Sequence, residues 1–339
     1  MLTSTRDDSS REASSAGQSP QSSPLDALLA TRLRKFLTQL PKVLSDEDAE
    51  AVHDLRVWSR RLQQVVVALF PKPRDPQAQA VVRTLRRARR AVGPWRDCDV
   101  LIEMVKRKLK RVRNPDEQRA WETVHTYLQA RRERAISRAR RRLANRRLFA
   151  LAQILKGLCE PATPNMTGRA VHERPQPLMR AAIKQSFALW HDAFIRARKS
   201  LEPADVHAFR VQTKRLRYRL ELARDLGADE TKPALAWLRN LQDTLGRLHD
   251  RGELARMAAK ALADPVFLLE QPRAASRLLA KLAAQRKAER VETEALLAQL
   301  ESAPQLSLLE GLTERRLHKL ETGQHAPIEP AGETETKLV

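Results

Sequence analysis

Apolar residues recur three and four positions apart through most of this 339-residue chain, the spacing that lines one face of an α-helix. Leu25, Leu28, Leu29, Leu33, Phe36 and Leu40 mark a first helix. Leu55, Leu62, Val66 and Leu69 mark a second, which Pro71 and Pro73 end because proline lacks the N–H that continues the ladder. A third helix is predicted from about Gln77 to Val92 and a fourth from about Asp97 to Val112, with Gly93 suited to a C-cap between them and Asp97 to an N-cap. Pro115 opens a long helix over about Asp116 to Ala144, and a shorter one reaches about Leu158. Pro161 to Pro177, with Pro164, Gly168 and Pro175, reads as a linker. Ile183, Phe187, Trp190 and Phe194 restart the helical period, and further helices are predicted from about Ala204, from Pro233 to Leu248, from Gly252 to Leu262, from Arg273 to Leu300 and from Leu306 to Leu320. Residues 1–23 and 321–339 lack the period and are expected to be disordered tails, the second acidic. Two helical halves remain, 24–160 and 178–320, joined by the linker 161–177.

The halves echo each other. AVHDLRVWSRRLQQVVVALF from Ala51 corresponds to DVHAFRVQTKRLRYRLELAR from Asp205, which pairs His53, Arg56, Arg60, Arg61 and Leu62 with His207, Arg210, Lys214, Arg215 and Leu216. A second element follows each, pairing Leu85, Arg86, Gly93, Asp97, Leu101 and Met104 with Leu238, Arg239, Gly246, Asp250, Leu254 and Met257. Residues three, four and seven apart share a helix face, so each His and its two following cations form one stripe. Leu55, Leu62, Val66 and Leu69 fall opposite in the first copy, as do Phe209, Leu216 and Leu220 in the second. One face is expected to pack and the other to present charge. The copies are not identical, since Gln63 stands where the second copy has Arg217.

Charge gives the stripe its meaning. The chain carries a net +22 with only 4% aromatic residues and few glycines, a composition that favours helices and attracts polyanions. Arg56, Arg60 and Arg210 have no carboxylate four residues on, so no intrahelical partner quenches them. Arg83, Arg86, Arg87 and Arg90 form a second candidate stripe on the third helix, and Arg239 with Arg217 and Arg219 supplies the other half. The Arg-rich run from Arg131 to Arg147 surrounds its helix and is expected to be an auxiliary patch. Asp97 and Asp250 serve equally as caps or as partners that orient a neighbouring His or Arg. His53 and His207, set among cations, are expected to hold their protons less tightly than an ordinary imidazole. The five tryptophans, Trp58, Trp95, Trp121, Trp190 and Trp237, are expected to pack. Cys98 and Cys159 have no metal-ligand spacing and point to a reducing compartment, the cytoplasm. No secretory h-region is present, and the apolar run Val65 to Phe70 falls far short of the ~20 residues of a membrane span, so no membrane insertion is expected. No cofactor or metal is expected either, and oligomeric state is left open.

The duplicated His-x-x-Arg-x-x-x-Arg/Lys-Arg-Leu segment, with its downstream Gly and Arg-Asp/His-Asp elements, resembles the CHAD family of conserved-histidine α-helical domains over about Leu25 to Leu320. The resemblance implies an all-α fold of two four-helix bundles related by a pseudo-two-fold axis, with a basic groove between them that binds inorganic polyphosphate. It implies a binding module and not an enzyme, with association with polyphosphate granules as a further expectation. Some members sit beside a CYTH-type β-barrel; no Glu-x-Glu-x-Lys strand occurs here, so a stand-alone member is expected. The residues implied to hold polyphosphate are His53, Arg56, Arg60, Arg61, Arg83, Arg86, Arg87, Arg90, His207, Arg210, Lys214, Arg215, Arg217 and Arg239.

Two other functions compete. A basic core binds any phosphate backbone, so weaker nucleic-acid binding without sequence preference is the alternative; no helix-turn-helix, zinc-finger or stacking signature supports base readout. A phosphohydrolase is disfavoured, because the chain has no Walker loop and no carboxylate set spaced for magnesium.

Overall fold

A computed structural model of the chain describes residues 24–45, 48–70, 76–144, 148, 150–159 and 175–314. The expected tails, Pro71, Pro73, Arg146, Arg147 and most of the expected linker lie outside the described residues.

Every element among the described residues is helical: α1 Pro24–Ser45, α2 Ala49–Leu69, α3 Pro76–Leu109, α4 Pro115–Leu143, α5 Leu151–Cys159, α6 Pro175–Ser200, α7 Pro203–Asp225, a 3-10 turn Asp229–Thr231, α8 Lys232–Leu262, α9 Pro265–Glu270, α10 Pro272–Glu301 and α11 Gln305–Glu314. The fold is all-α, as the periodicity predicts. Local chemistry sets several starts. Asp48 caps α2 by accepting the Glu50 N–H, and Asn114 accepts the Asp116 and Glu117 N–H groups ahead of Pro115 at the first turn of α4. Gly227, at φ 100°, closes α7 with Ala228 N–H donating to the Ala223 carbonyl at 3.0 Å, a left-handed C-cap that glycine adopts without strain.

The breaks predicted at Gly93 and before Gly252 do not occur. Residues 76–109 form one helix of 34 residues, and residues 232–262 one of 31, so Gly93 and Gly246 cap nothing and Asp97 and Asp250 start nothing. Pro94 forfeits one ladder bond inside α3, but Val92 and Trp95 on either side of it are fully buried. Tertiary packing outweighs the local cost of about 3 kcal/mol.

At ~1.5 Å per residue each long helix spans two separate apolar cores. The larger core takes α3 as far as Trp95 and α8 as far as Leu245, together with α1, α2, α5, α6, α7, α11 and the far ends of α4 and α10. The smaller is a four-helix packing of Cys98–Val105, Ala120–Leu128, Leu254–Leu262 and Ala274–Leu282, one hairpin from each half of the sequence. Both cores are therefore shared between the repeats. Leu62 and Leu216 are fully buried, on the packing side of the His helices. Trp95, Trp121 and Trp190 are fully buried as well, and Trp58 and Trp237 pack against the larger core, in keeping with their expected role.

A buried ionic network ties α1, α2, α7 and α8 together. Arg32, 4% exposed at its side chain, bonds Asp225 at 2.5 Å and the Arg61 carbonyl at 2.9 Å. Arg61 reaches buried Glu221 at 3.5 Å and stacks over Trp58, while Arg217 bonds Glu221 from one helical turn away and donates to Gln242 of α8 at 2.9 Å.

Candidate anion-binding site

Helices α2 and α7 pack against each other, and α3 and α8 flank them. Gly93–Asp97 and Gly246–Asp250 fall on the long helices where the larger core ends and the smaller begins. There the two copies of the repeated stripe converge.

The Arg56 side chain of α2 lies against α3: its Nη1 is 3.8 Å from the Asp97 carboxylate, and a Cβ built on Gly93 would stand 3.2 Å from the same nitrogen. Gly93 thus makes room for a guanidinium. The equivalent Gly246 meets nothing within 4 Å of its would-be Cβ. Gly246→Ala should therefore stabilise the protein by about 0.5–1 kcal/mol, the usual helix advantage of alanine, whereas Gly93→Ala should forfeit that gain by displacing Arg56. Denaturant midpoints measure the difference; equal gains at both sites would show that Arg56 does not depend on Gly93.

The cations crowd one another. Arg56 is lowered from its ordinary value by burial first and then by Arg60, Arg96 and Arg210, with Asp97 opposing. Arg210 is lowered by burial and by Arg60 against Asp250 and Asp97, and its Nε is buried without a hydrogen-bond partner. Lys214 is pushed down to about 7, by burial and then by Arg210, Arg60 and Arg56, with Asp250 the opposing charge. Among the described residues, Arg60, Arg210 and Lys214 have no carboxylate within ion-pair distance. His53 is lowered by burial and by Arg96, with Arg56 and Arg60 adding to it, and His207 by burial, Arg210 and Lys214; the direction matches the expectation from sequence. The Asp97 side chain stays 70% exposed, with Arg56, Arg210 and Lys214 all acting on its carboxylate.

The structure thus brings together His53, Arg56, Arg60, His207, Arg210 and Lys214. It also adds residues that sequence reasoning passed over. The His249 ring lies 5.1 Å from that of His207, tilted by 44°, and is pushed down to about 4 by burial, Arg210 and His207, and Arg96, its repeat equivalent, lies close to His53 and Arg56. The signal was present: a basic residue precedes the aligned aspartate in both copies. Arg89 is the other addition. It donates to the Ser59 carbonyl at 3.1 Å and to Gln63 at 2.5 Å, and its pKa is lowered by burial, Arg60 and Arg86.

Other candidates lie elsewhere. Arg61 and Arg217 are turned into the Glu221 network. Arg83 bonds Gln79 within α3, and Arg87 and Arg90 are exposed on that helix. Arg215 is exposed and bonds Gln212 at 3.4 Å. Arg86 and Arg239 are exposed two turns before Gly93 and Gly246, in line with the cluster. Of the Arg-rich run on α4, Arg132 pairs with Asp99 at 2.6 Å and Arg140 donates to the Ser45 carbonyl at 3.2 Å.

No curated protein matches the chain. Two solved structures share its fold: the CHAD domain from the plant Ricinus communis, with a TM-score of 0.55 and 22% identity over 86% of this chain and 92% of that one, and PptA from Streptomyces chartreusis, with a TM-score of 0.58 and 18% identity over 83% of this chain and 100% of that one. A family model for the CHAD domain matches residues 27–259, which take in both His helices and both long helices up to the aligned aspartates. The chain belongs to the CHAD domain family.

Proposed function

We propose that the chain binds inorganic polyphosphate at the junction of α2 and α7. One observation carries the reading: repeat-equivalent cations from the two halves meet, and a single described ion pair, Arg56 to Asp97, offsets them. Such a cluster destabilises the free protein and is relieved by a polyanion. The family is associated with polyphosphate binding in general. Polyphosphate carries about one charge per internal phosphate and no base, so a line of cations without a stacking platform suits it. Arginine offers a bidentate fork to neighbouring oxygens and lysine a mobile point charge. His53, His207 and His249 edge the cluster as further donors.

The reading is of a binding module without catalysis, associated with polyphosphate granules. Among the described residues no group of three His, Cys, Asp or Glu is set to hold a metal, and no helix is long and apolar enough to cross a membrane. Competition separates polyphosphate from nucleic acid. Long-chain polyphosphate should displace double-stranded DNA at equal phosphate concentration, because a flexible chain can lay successive phosphates against the clustered cations whereas a stiff duplex touches few of them at once. The reverse order of preference would assign the cluster to nucleic acid.

A further inference from the structure

In the first half of the chain residues 110–114 alone join α3 to α4, and they carry Lys110, Arg111 and Arg113. The equivalent connection in the second half, between α8 and α10, holds the extra helix α9, Pro-Val-Phe-Leu-Leu-Glu. The hairpin does not need it, since the first half closes without one, and it lies beyond residue 259, where the match to the family ends. Yet α9 is firmly built. Asp264 accepts the Val266 and Phe267 N–H groups at 3.0 and 3.2 Å, Pro265 opens the turn, and Phe267 packs against the smaller core. That leaves Val266 61%, Leu268 41% and Leu269 83% exposed. Apolar side chains held together in water on an anchored helix mark an interaction surface.

Shape and charge say what covers it. A cavity of about 550 Å³ lies beside these side chains, walled by Val266 and Phe267 themselves and by Thr123, Thr126 and Tyr127 of α4. Knob and hollow thus share one short element, the arrangement that two copies satisfy mutually about a two-fold axis. The charged residues lining the cavity are Arg119 against Glu122, Asp264 and Glu270, an acidic excess on a chain that carries +22. A polyanion or an anionic lipid surface meets carboxylates here. A second, positively charged copy is repelled least at this spot, and Arg119, 50% exposed, can reach a carboxylate of the partner.

We propose that α9 is a self-association surface, through which two copies of the chain pair about a two-fold axis with Leu269 of each entering the cavity of the other. The proposal stands apart from the polyphosphate reading. The cation cluster lies where the larger core ends, whereas α9 follows the far end of the smaller core, so pairing leaves both clusters open. Three side chains and one cavity wall fall short of the roughly 1,200–2,000 Å² of a standard interface, so the pairing is reversible.

Sedimentation velocity of the full chain, freed of bound polyanion, tests it. Wild type should pass from monomer to dimer between about 1 and about 100 μM, the range of a small reversible contact. Leu269→Asp should raise the dissociation constant at least about tenfold, because symmetry places the new charge in the apolar contact twice, once from each copy. Leu269→Met keeps the contact apolar and should stay within about threefold. At 83% exposure in the monomer Leu269 is dispensable to the fold, and unchanged circular dichroism of the variants checks this. Salt gives an independent reading. Raising it from about 0.1 M to about 0.5 M screens the repulsion between two basic bodies, so pairing through α9 should tighten, whereas copies bridged by a polyanion should come apart. A chain that stays monomeric at about 100 μM, a dimer that Leu269→Asp leaves intact, or one that salt dissolves would each overturn the proposal. Phosphatidylcholine vesicles with about one third phosphatidylserine decide against the rival surface. Leu269→Asp should leave vesicle binding unchanged; binding that depends on Leu269, in a chain that is monomeric in solution, would assign α9 to lipid instead.

Discussion

Replacing Arg56, Arg60, Arg210 and Lys214 together by alanine should lower polyphosphate affinity at least about a hundredfold. Each charge-assisted contact is worth about 1.5–3 kcal/mol, and about 1.4 kcal/mol is tenfold in affinity, so four lost contacts allow more; a flexible polyanion recovers part by sliding to neighbouring cations. The salt dependence should flatten too. Losing four phosphate contacts removes roughly 3 from the slope of log affinity against log salt if polyphosphate behaves as a single strand does. Stability should move the other way or stay level. Arg56, Arg210 and Lys214 are all lowered from their ordinary values, which means the fold disfavours their charges, and removing disfavoured charges does not weaken it. A variant that melts no earlier than wild type and binds at least a hundredfold less tightly is the expected outcome, read by calorimetry and by titration at several salt concentrations. A folded variant with unchanged affinity would remove the cluster from binding altogether.

Much of this was legible in the sequence, for a physical reason. Helix faces are periodic, so Leu62 and Leu216 could be placed inside and His53 and His207 outside from spacing alone. The duplication then gave the stripe its pair. What spacing could not supply was register between helices. Gly93 and Gly246 look like caps because glycine usually ends a helix, and only the course of α2 shows that Gly93 instead lets Arg56 lie against α3. The same limit explains Arg61 and Arg217, which belong to the charged stretch in sequence but pair with Glu221, a buried acid one turn beyond Arg217. Gln63 offers the clearest case. It looks like a lost cation beside Arg217, yet Arg89 of α3 donates to it, while in the second half Arg217 donates to Gln242 of α8, the residue aligned with Arg89. The arginine and the glutamine have exchanged helices between the repeats, and the pair survives. A one-dimensional alignment scores that exchange as two mismatches. The crossed cores were hidden in a similar way, because each half carries a complete set of amphipathic helices and nothing in the period says that the far ends of α3 and α8 will share one core.

The pH dependence of binding should be governed above neutrality by Lys214, and below it by the histidines. In the free protein Lys214 is pushed down to about 7 by burial and by Arg210 on its own helix and Arg60 and Arg56 on α2, against Asp250 on α8. A bound polyanion restores the proton, so binding takes one up wherever the free lysine is neutral and the bound lysine is charged. Affinity should therefore be level just below about pH 7 as far as Lys214 is concerned, and fall by up to about tenfold per pH unit above it, until the bound lysine itself titrates toward its reference value of ~10.4. Stability of the free protein runs in the opposite direction over the same window. The unfolded chain holds the Lys214 proton up to its ordinary value of 10.5 whereas the folded chain has released it from about 7, so the unfolded state binds more protons and folding gains as pH rises. His53 and His207, held below 6.5, add a further fall in affinity as pH rises through the range between their free and bound values. The contributions separate by substitution. Lys214→Met should abolish the slope above pH 7 and leave the one below; His53→Gln with His207→Gln should do the reverse, since glutamine keeps a donor but cannot titrate. Affinity measured from about pH 6 to pH 9, with stability of the free protein followed alongside, decides it. A wild-type slope above pH 7 that survives in Lys214→Met would place the titrating group elsewhere and leave the arginines alone to account for binding.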